Sequence, residues 1–395
     1  MRLVHLSDIH LGYRQYQRQT PSGINQREAD VATSLRRVID KVIELKPEVV
    51  LIAGDVFHTV RPPNPAILHA YVEFSRLARA LPESKLVLVA GNHDTPLTTE
   101  TGSILKLFST LNIDVVERSA RPILVPEHDL SILAVPEMPF VPHLTPDPAS
   151  KYNVLLMHGE YEGVIPGYVE RLDRAPMKIS RRDLRPDDWD YVALGHYHVY
   201  RSIFPNVFYS GSVDYTSTNP WGELAEESAS GIRGKGFIEF DLASRRHTFH
   251  SVPPLRRWVD LDPISGGGMS PAALDAAIRA AVDGCEGGLE DKIVRLVVSE
   301  VPRHILRELD HKALRDYKRK ALHFHLDTRR PEILRPKAGQ GAPTRRASLA
   351  ETVREKLESR VLTENIDRGA LVELGLHYLR EADGIAGTTL DEDAA

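Results

Sequence analysis

The chain has 395 residues, 42% of them hydrophobic, which is enough for a substantial core divided among two or three domains. A formal charge of −5 gives no global basic excess, so any affinity for nucleic acid must come from local patches. Cys285 is the one cysteine, which excludes an intramolecular disulfide. No apolar run reaches bilayer-spanning length and no signal-type segment opens the chain, so a cytoplasmic protein without a membrane segment is expected.

The first apolar β-type segment, Leu3 to Leu6, ends in S-D-I-H, which carries Asp8 and His10. Val31, Leu35, Val38, Val42 and Leu45 then recur at helical spacing and predict a helix near 26–45. A strand over 49–53 ends in G-D-V-F-H with Asp55 and His58, and a helix is expected near 65–80. A strand over 86–90 ends in G-N-H-D, which brings Asn92, His93 and Asp94, and a helix near 101–110 follows. Val154 to Met157 leads into His158, and Tyr191 to Leu194 leads into G-H-Y-H with His196 and His198. After His198, short segments at 207–209, 237–240 and 247–252 with Gly and Pro punctuation predict an antiparallel second sheet. The fold class expected for residues 1–255 is therefore an α/β sandwich of two packed sheets flanked by helices.

A boundary is expected at P-P-L-R-R-W, 253–258, followed over 256–330 by a small α/β module. Its pattern reads strand 257–261, helix 271–282, strand 293–298, helix 303–319 and strand 321–326. Between Arg303 and Arg346 thirteen Lys or Arg face five Asp or Glu, a local excess suited to phosphate contact or to a solvated basic surface. Residues 331–347 read as a basic linker. Ser348 and Glu351 then have the spacing of a capping box. Leu349, Val353, Leu357 and Val361 line one helix face, and Leu371, Leu374 and Tyr378 line a second helix near 367–380. The tail, 381–395, is expected to be disordered.

Seven of the polar residues named above, Asp8, His10, Asp55, Asn92, His158, His196 and His198, are metal-ligand types that stand in five runs at five strand ends. A lone Asp after a strand is more often a helix cap, and a lone His more often a satisfied core side chain, as His5 in mid-strand reads. Five such runs in one chain point instead to a two-metal site, in which two divalent ions clamp a phosphoryl group and lower the pKa of an attacking water. A mixed imidazole, carboxylate and amide set selects a transition metal over a magnesium cage, manganese foremost with iron(II) and zinc as alternatives. Asp55, the only carboxylate in its run, is the candidate bridge.

The order D-x-H, G-D, G-N-H-D, H-G, G-H-x-H resembles that of the calcineurin-like metallophosphoesterases. The flanking runs L-G-Y-R-Q-Y, R-E-A-D, G-D-V-F-H-x-x-R-P, Y-S-G-S and R-G-K-G-F resemble the SbcD-type double-strand-break repair nucleases over residues 1 to about 250. The resemblance implies that Asp8, His10, Asp55 and His198 hold one ion and that Asp55, Asn92, His158 and His196 hold the other. It also makes His93 the catalytic histidine that protonates the leaving 3′ oxygen, with Asp94 orienting it or bracing its loop. His58 matches a further histidine near the phosphate, as in the archaeal-type version.

By the same resemblance, the 256–330 module caps the site and selects DNA, and the 348–380 helical pair docks on an SbcC-type, SMC-like ATPase. The helices near 65–80 and 101–110 would pair across a twofold axis in a homodimer. The implied function is a nuclease with 3′–5′ exonuclease and single-strand endonuclease activity in double-strand-break repair. Two rivals share the fold: a metal-dependent small-molecule phosphatase or phosphodiesterase, and a noncatalytic scaffold. The additional module and helical pair weigh against the first, and the complete ligand set weighs against the second.

Overall fold

The computed structural model describes residues 1–96, 102–164, 177–232, 234–331, 349–359 and 367–388. They belong to two compact units, Met1–Pro331 and Glu332–Ala395. In chain order the first unit runs β1 (Arg2–Leu6), α1 (Gln26–Leu45), β2 (Val49–Ala53), α2 (Asn64–Ala80), β3 (Lys85–Val89), a 3-10 helix (Ile104–Leu111), β4 (Asp114–Val116), β5 (Arg121–Val125), β6 (Leu130–Val135) and β7 (Tyr152–His158). It continues with β8 (Glu160–Tyr161), β9 (Lys178–Ile179), α3 (Arg181–Leu184), β10 (Tyr191–Gly195), β11 (Arg201–Phe204), β12 (Val207–Tyr209), α4 (Pro220–Ser230), β13 (Gly236–Asp241) and β14 (Arg246–Ser251). The remainder is β15 (Trp258–Ser265), α5 (Pro271–Asp283), β16 (Ile293–Ser299), α6 (Arg303–Arg307), α7 (His311–Lys320) and β17 (His323–Thr328).

Two six-stranded sheets form the body, ordered β14-β13-β1-β2-β3-β4 and β11-β12-β10-β7-β6-β5. The period-2 alternation of strand side chains assigns each residue to a layer. Leu3, Val49, Leu51, Val87 and Val89 point between the sheets, where they meet Ile132, Val154, Leu156, Ala193 and Phe208. Their neighbours Val4, Leu6, Val50, Ile52 and Leu88 point outward and are covered by Val31, Leu35 and Val38 of α1 and Phe74 and Leu77 of α2. Because β2 is covered on both faces, V-V-L-I-A is apolar throughout, as expected of a central parallel strand. The strands β1, β2 and β3 run parallel, as do β7 and β10, so their C-terminal ends gather at common sheet edges. In open α/β sheets the crevice beyond those ends is where ligands bind.

Three expectations change. The short strands after His198 do not make a sheet of their own: β11 and β12 extend the second sheet beside β10, while β13 pairs antiparallel with β1 of the first and β14 antiparallel with β13. The helix expected over 303–319 is broken into α6 and α7, because Leu309 turns into the module core and Asp310 caps the new helix by accepting from the N–H groups of Lys312 and Ala313. The segment expected as a helix near 101–110 is 3-10 over Ile104–Leu111, with Leu105 and Phe108 buried.

The parallel β15-β16-β17 sheet with α5 to α7 matches the expected module. It is nevertheless part of the first compact unit, joined to the body by Tyr215, Trp221, Trp258, Ile293 and Leu322. Arg256 strengthens the junction by pairing with Asp30 at 3.2 Å and Asp291 at 3.1 Å.

In the second unit α8 (Leu349–Ser359) and α9 (Arg368–Thr388) pack on each other. Gly375 marks the close approach, since a Cβ there would press on Leu357. The second helix runs past its expected end at 380. Ser348, Val361, the linker beyond Pro331 and the last seven residues lie outside the described residues. Among the described residues no helix is long and apolar enough to cross a membrane.

Candidate metal centre

All seven expected ligands converge at the strand ends of the two sheets. Asp8, His10, Asp55, Asn92, His158 and His196 are each less than a tenth exposed, and His198 is only partly exposed. The ligating atoms of Asp8, His10 and His198 lie within 4.8 Å of one another, as do those of Asp8, Asp55 and His158. Asp8 is common to both groups, and Asp55 of the second also approaches the first, with its Oδ2 3.7 Å from His10 Nε2 and 3.5 Å from His158 Nε2. His10 Nε2 and His198 Nε2 face each other at 3.0 Å, and Asn92 Oδ1 lies 2.9 Å from His158 Nε2 and 3.4 Å from His196 Nδ1.

The local sequence explains this crowding. Gly54, Gly91 and Gly195 precede the ligand runs, and a Cβ on Gly91 would overlap the Asp55 carboxylate while one on Gly195 would overlap the Ala53 carbonyl. Immediately beyond the strands the backbone turns sharply, with φ of 51° at Asp8, 52° at His10, 52° at Asp55 and 110° at His196. Left-handed backbone at non-glycine residues is strained and collects at functional sites, where the surroundings hold it in place. Here Asp8 accepts the His196 N–H at 3.0 Å, and Asp8 and His10 donate their own N–H groups to the Gly54 and Asp55 carbonyls.

The donor set fits divalent cations. His158 Nδ1 lies 2.8 Å from the Ala53 carbonyl, which can only accept, so Nδ1 carries a proton and Nε2 is the ligating atom. Burial holds His10 well below its ordinary pKa, with neighbouring imidazoles adding to the effect. Burial and His158 bring His196 down to about 3, and burial and His93 bring His58 down to about 4. These three imidazoles are therefore neutral, the form that binds metal. His158 and His198 shift the other way despite burial, His158 up to about 9 beside Asp55 and Asp8 and His198 upward beside Glu223 and Asp8, so each must give up a proton when it ligates a cation. At Asp55 burial opposes ionisation, but His158 and His93 outweigh it and hold the carboxyl below its usual range.

His93 and His58 border the same cleft, their rings stacked with centroids 5.4 Å apart. The His93 backbone N–H donates to Asp55 Oδ1 at 2.9 Å, and its ring Nδ1 donates to the His58 carbonyl at 2.7 Å. Asp94 does not touch the His93 ring in any described hydrogen bond. Its carboxylate accepts the N–H groups of Val56, Phe57 and Gly91, so it ties the second ligand run to the third. His5, read as a core residue, is fully buried with Nδ1 3.0 Å from the Tyr191 hydroxyl.

Sequence reasoning missed the residues behind the ligands. Ser7 donates to Asp8 Oδ2 at 2.6 Å and lies 2.8 Å from Ser210 Oγ, a contact made by the Y-S-G-S run. Asp214, in the same loop, pairs with the fully buried Arg27 of α1 at 2.6 Å. Glu223 and Lys235 form an ion pair beside His198. None of these has ligand-like spacing; Ser7, Arg27, Ser210 and Lys235 stand in runs noted above, while Asp214 and Glu223 stand in none and carry no signal in sequence.

The sandwich with a histidine and carboxylate centre at its strand ends defines a phosphoesterase architecture, and the family model for calcineurin-like phosphoesterases matches residues 1–215. The chain belongs to that family. Among curated relatives it is similar to the DNA double-strand break repair protein Mre11 of Methanococcus maripaludis, 29% identical over 260 residues that cover 62% of this chain and 63% of the relative. It is likewise similar to the Mre11 of Methanocaldococcus jannaschii, 29% identical with 62% and 63% covered, and to that of Sulfurisphaera tokodaii, 28% identical with 64% and 62% covered. The chain thus spans somewhat less than two thirds of the length of these relatives.

Proposed function

We propose that the chain is a two-metal DNA nuclease of double-strand-break repair, with 3′–5′ exonuclease and single-strand endonuclease activity, that works with an SbcC-type, SMC-like ATPase. The observation that carries the reading is the convergence of seven ligand side chains from five strand ends around Asp8 and Asp55, with His93 fixed beside them. The names of the relatives support DNA as substrate.

In this reading Asp8, His10, Asp55 and His198 hold one ion and Asp55, Asn92, His158 and His196 the other, manganese foremost with iron(II) or zinc as alternatives. When bound, the ions would supply a nucleophilic water at neutral pH and neutralise the phosphoryl oxygens. The chain contributes position and a proton. Because His93 Nδ1 is committed to the His58 carbonyl, Nε2 is the atom left to exchange a proton with the leaving 3′ oxygen. His58 lies alongside to contact the phosphate, and Asp94 braces the loop that holds both.

We assign residues 1–255 to the nuclease domain, 256–330 to a capping domain that selects DNA, 331–347 to a linker, 348–380 to ATPase docking and 381–395 to a tail. The exposed Lys312, Arg315, Lys318, Arg319 and Lys320 on α7 support phosphate contact by the cap. The test is digestion of linear duplex and single-stranded DNA beside bis-p-nitrophenyl phosphate, with manganese and with EDTA. Manganese-dependent DNA cleavage abolished by EDTA is expected. Hydrolysis of the small diester without DNA cleavage would make the protein a small-molecule phosphodiesterase, and undiminished turnover in EDTA would overturn the metal reading.

A further inference from the structure

Beside His198, where Glu223 also lines the cleft, the protein buries three charges. Lys235, just before β13, is 2% exposed and forms ion pairs with Glu223 and Glu227 of α4, themselves 6% and 3% exposed. The ammonium also donates to the His198 carbonyl at 2.8 Å and lies 4.4 Å from the Tyr215 ring centroid, and Tyr215 donates its hydroxyl to Glu227 at 2.6 Å. Two carboxylates against one ammonium leave a buried excess of one negative charge. A buried excess charge is unfavourable unless an opposite charge lies near.

The geometry shows where that excess points. Glu223 Oε1 has no hydrogen-bond partner among the described residues and lies 3.7 Å from His198 Nδ1, which also has none. The opposite nitrogen of the same ring, Nε2, faces into the centre toward His10. A histidine that ligates a metal through one nitrogen commonly donates a hydrogen bond from the N–H of the other to a carboxylate, which fixes the tautomer and ring orientation and raises the basicity of the ligating atom.

We propose that Glu223 is a positioning residue for His198: clamped by Lys235, its ionised carboxylate accepts a hydrogen bond from Nδ1–H and holds Nε2 toward the centre, with its charge balancing a cation bound there. The proposal rests on the two-metal reading above. It gives α4 and the R-G-K-G-F run a task at the centre although neither contributes a ligand. Glu227 completes the charge of the clamp through Lys235 and Tyr215 and forms no described ion pair with His198.

The test is manganese binding by the full chain, followed by the loss of the free-ion electron paramagnetic resonance signal, with cobalt(II) absorption as a spectroscopic readout of ligand geometry. The wild type should bind two ions. Glu223→Gln should weaken one of them by about 10–100-fold and alter the cobalt(II) spectrum, leaving the other within about twofold. Glu227→Gln, which disturbs the same buried clamp, should leave both affinities within about twofold. Glu223→Asp keeps the ion pair with Lys235 but withdraws the carboxylate from His198, so it should weaken the same ion to an intermediate degree. It also decides the matter should the glutamine variant not fold. Wild-type affinity and spectrum in Glu223→Asp or Glu223→Gln, or equal weakening by Glu227→Gln, would overturn the positioning role. A wild type that binds fewer than two ions would instead overturn the two-metal reading.

Discussion

His93 is held at both ends, its backbone by Asp55 and its ring by the His58 carbonyl, so removing its side chain beyond Cβ leaves the ligand atoms where they are. His93→Ala should therefore keep both ions, measured by manganese titration, while DNA cleavage slows by about 10²–10⁴-fold, the order of a lost proton-transfer group. Normal cleavage by that variant would end the general-acid role. Lys235→Met should act on stability, since it leaves Glu223 and Glu227 buried without their cation, and a loss of about 3–5 kcal/mol in urea unfolding is expected. The ligands themselves were legible because carboxylate and imidazole chemistry sets residue type and strand ends set spacing. Glu223 was not, because P-W-G-E is an ordinary helix start until α4 folds back on His198. Nor does an Asp announce in sequence that its φ will be 51°.

The clamp also has a pH signature. Burial alone would raise the Glu223 carboxyl, but Lys235 and His198 outweigh it and hold it down at about 2, against an ordinary value of 4.5. A carboxyl depressed in the folded state contributes stability above its unfolded pKa and loses it as pH falls through the folded one. The wild-type urea midpoint should thus fall between pH 4.5 and about 2, and part of that fall should be absent in Glu223→Gln. Identical profiles would assign the acid sensitivity to other carboxyls.

At the scale of elements, period-2 and period-3.6 patterns made the helices and central strands legible, because one buried face per element is what those periods report. Partner choice was not. The three-residue β12 and the six-residue β13 look alike in sequence, yet one joins β10 and the other β1, a decision made by long-range packing. The apolar faces of α2 and the 3-10 helix were also only partly legible. Phe74 and Phe108 meet edge to face at 4.9 Å inside the core, and Leu105 is buried with them. Leu68 and Val72 remain 65% and 50% exposed, one turn apart on α2. If these two residues form the centre of a twofold dimer contact, Leu68→Glu with Val72→Glu should yield a folded monomer in light scattering. A wild type already monomeric at micromolar concentration would remove the dimer.

For the whole molecule the decisive feature is the division at Pro331: the ligand-type residues and the 256–330 module share one compact unit, while the C-terminal helices form another. The 11-residue α8 is marginal in water unless its apolar face is buried. Leu357 is satisfied within the pair, where Gly375 admits it, so it is not available to a partner. Leu374 and Tyr378, 50% and 61% exposed and one turn apart on α9, form an apolar stripe among the described residues, which under the proposed function would enter a groove on the ATPase. Deleting residues 340–395 should keep metal binding and basal manganese-dependent cleavage while abolishing co-purification with an SbcC-type ATPase and stimulation by ATP. Leu374→Glu with Tyr378→Glu should do the same without shortening the chain and without loss of helical circular dichroism, because neither side chain is buried between the two helices. Loss of basal cleavage or of the folding transition on truncation would mean that the helices serve the stability of the first unit, and the docking assignment would fall.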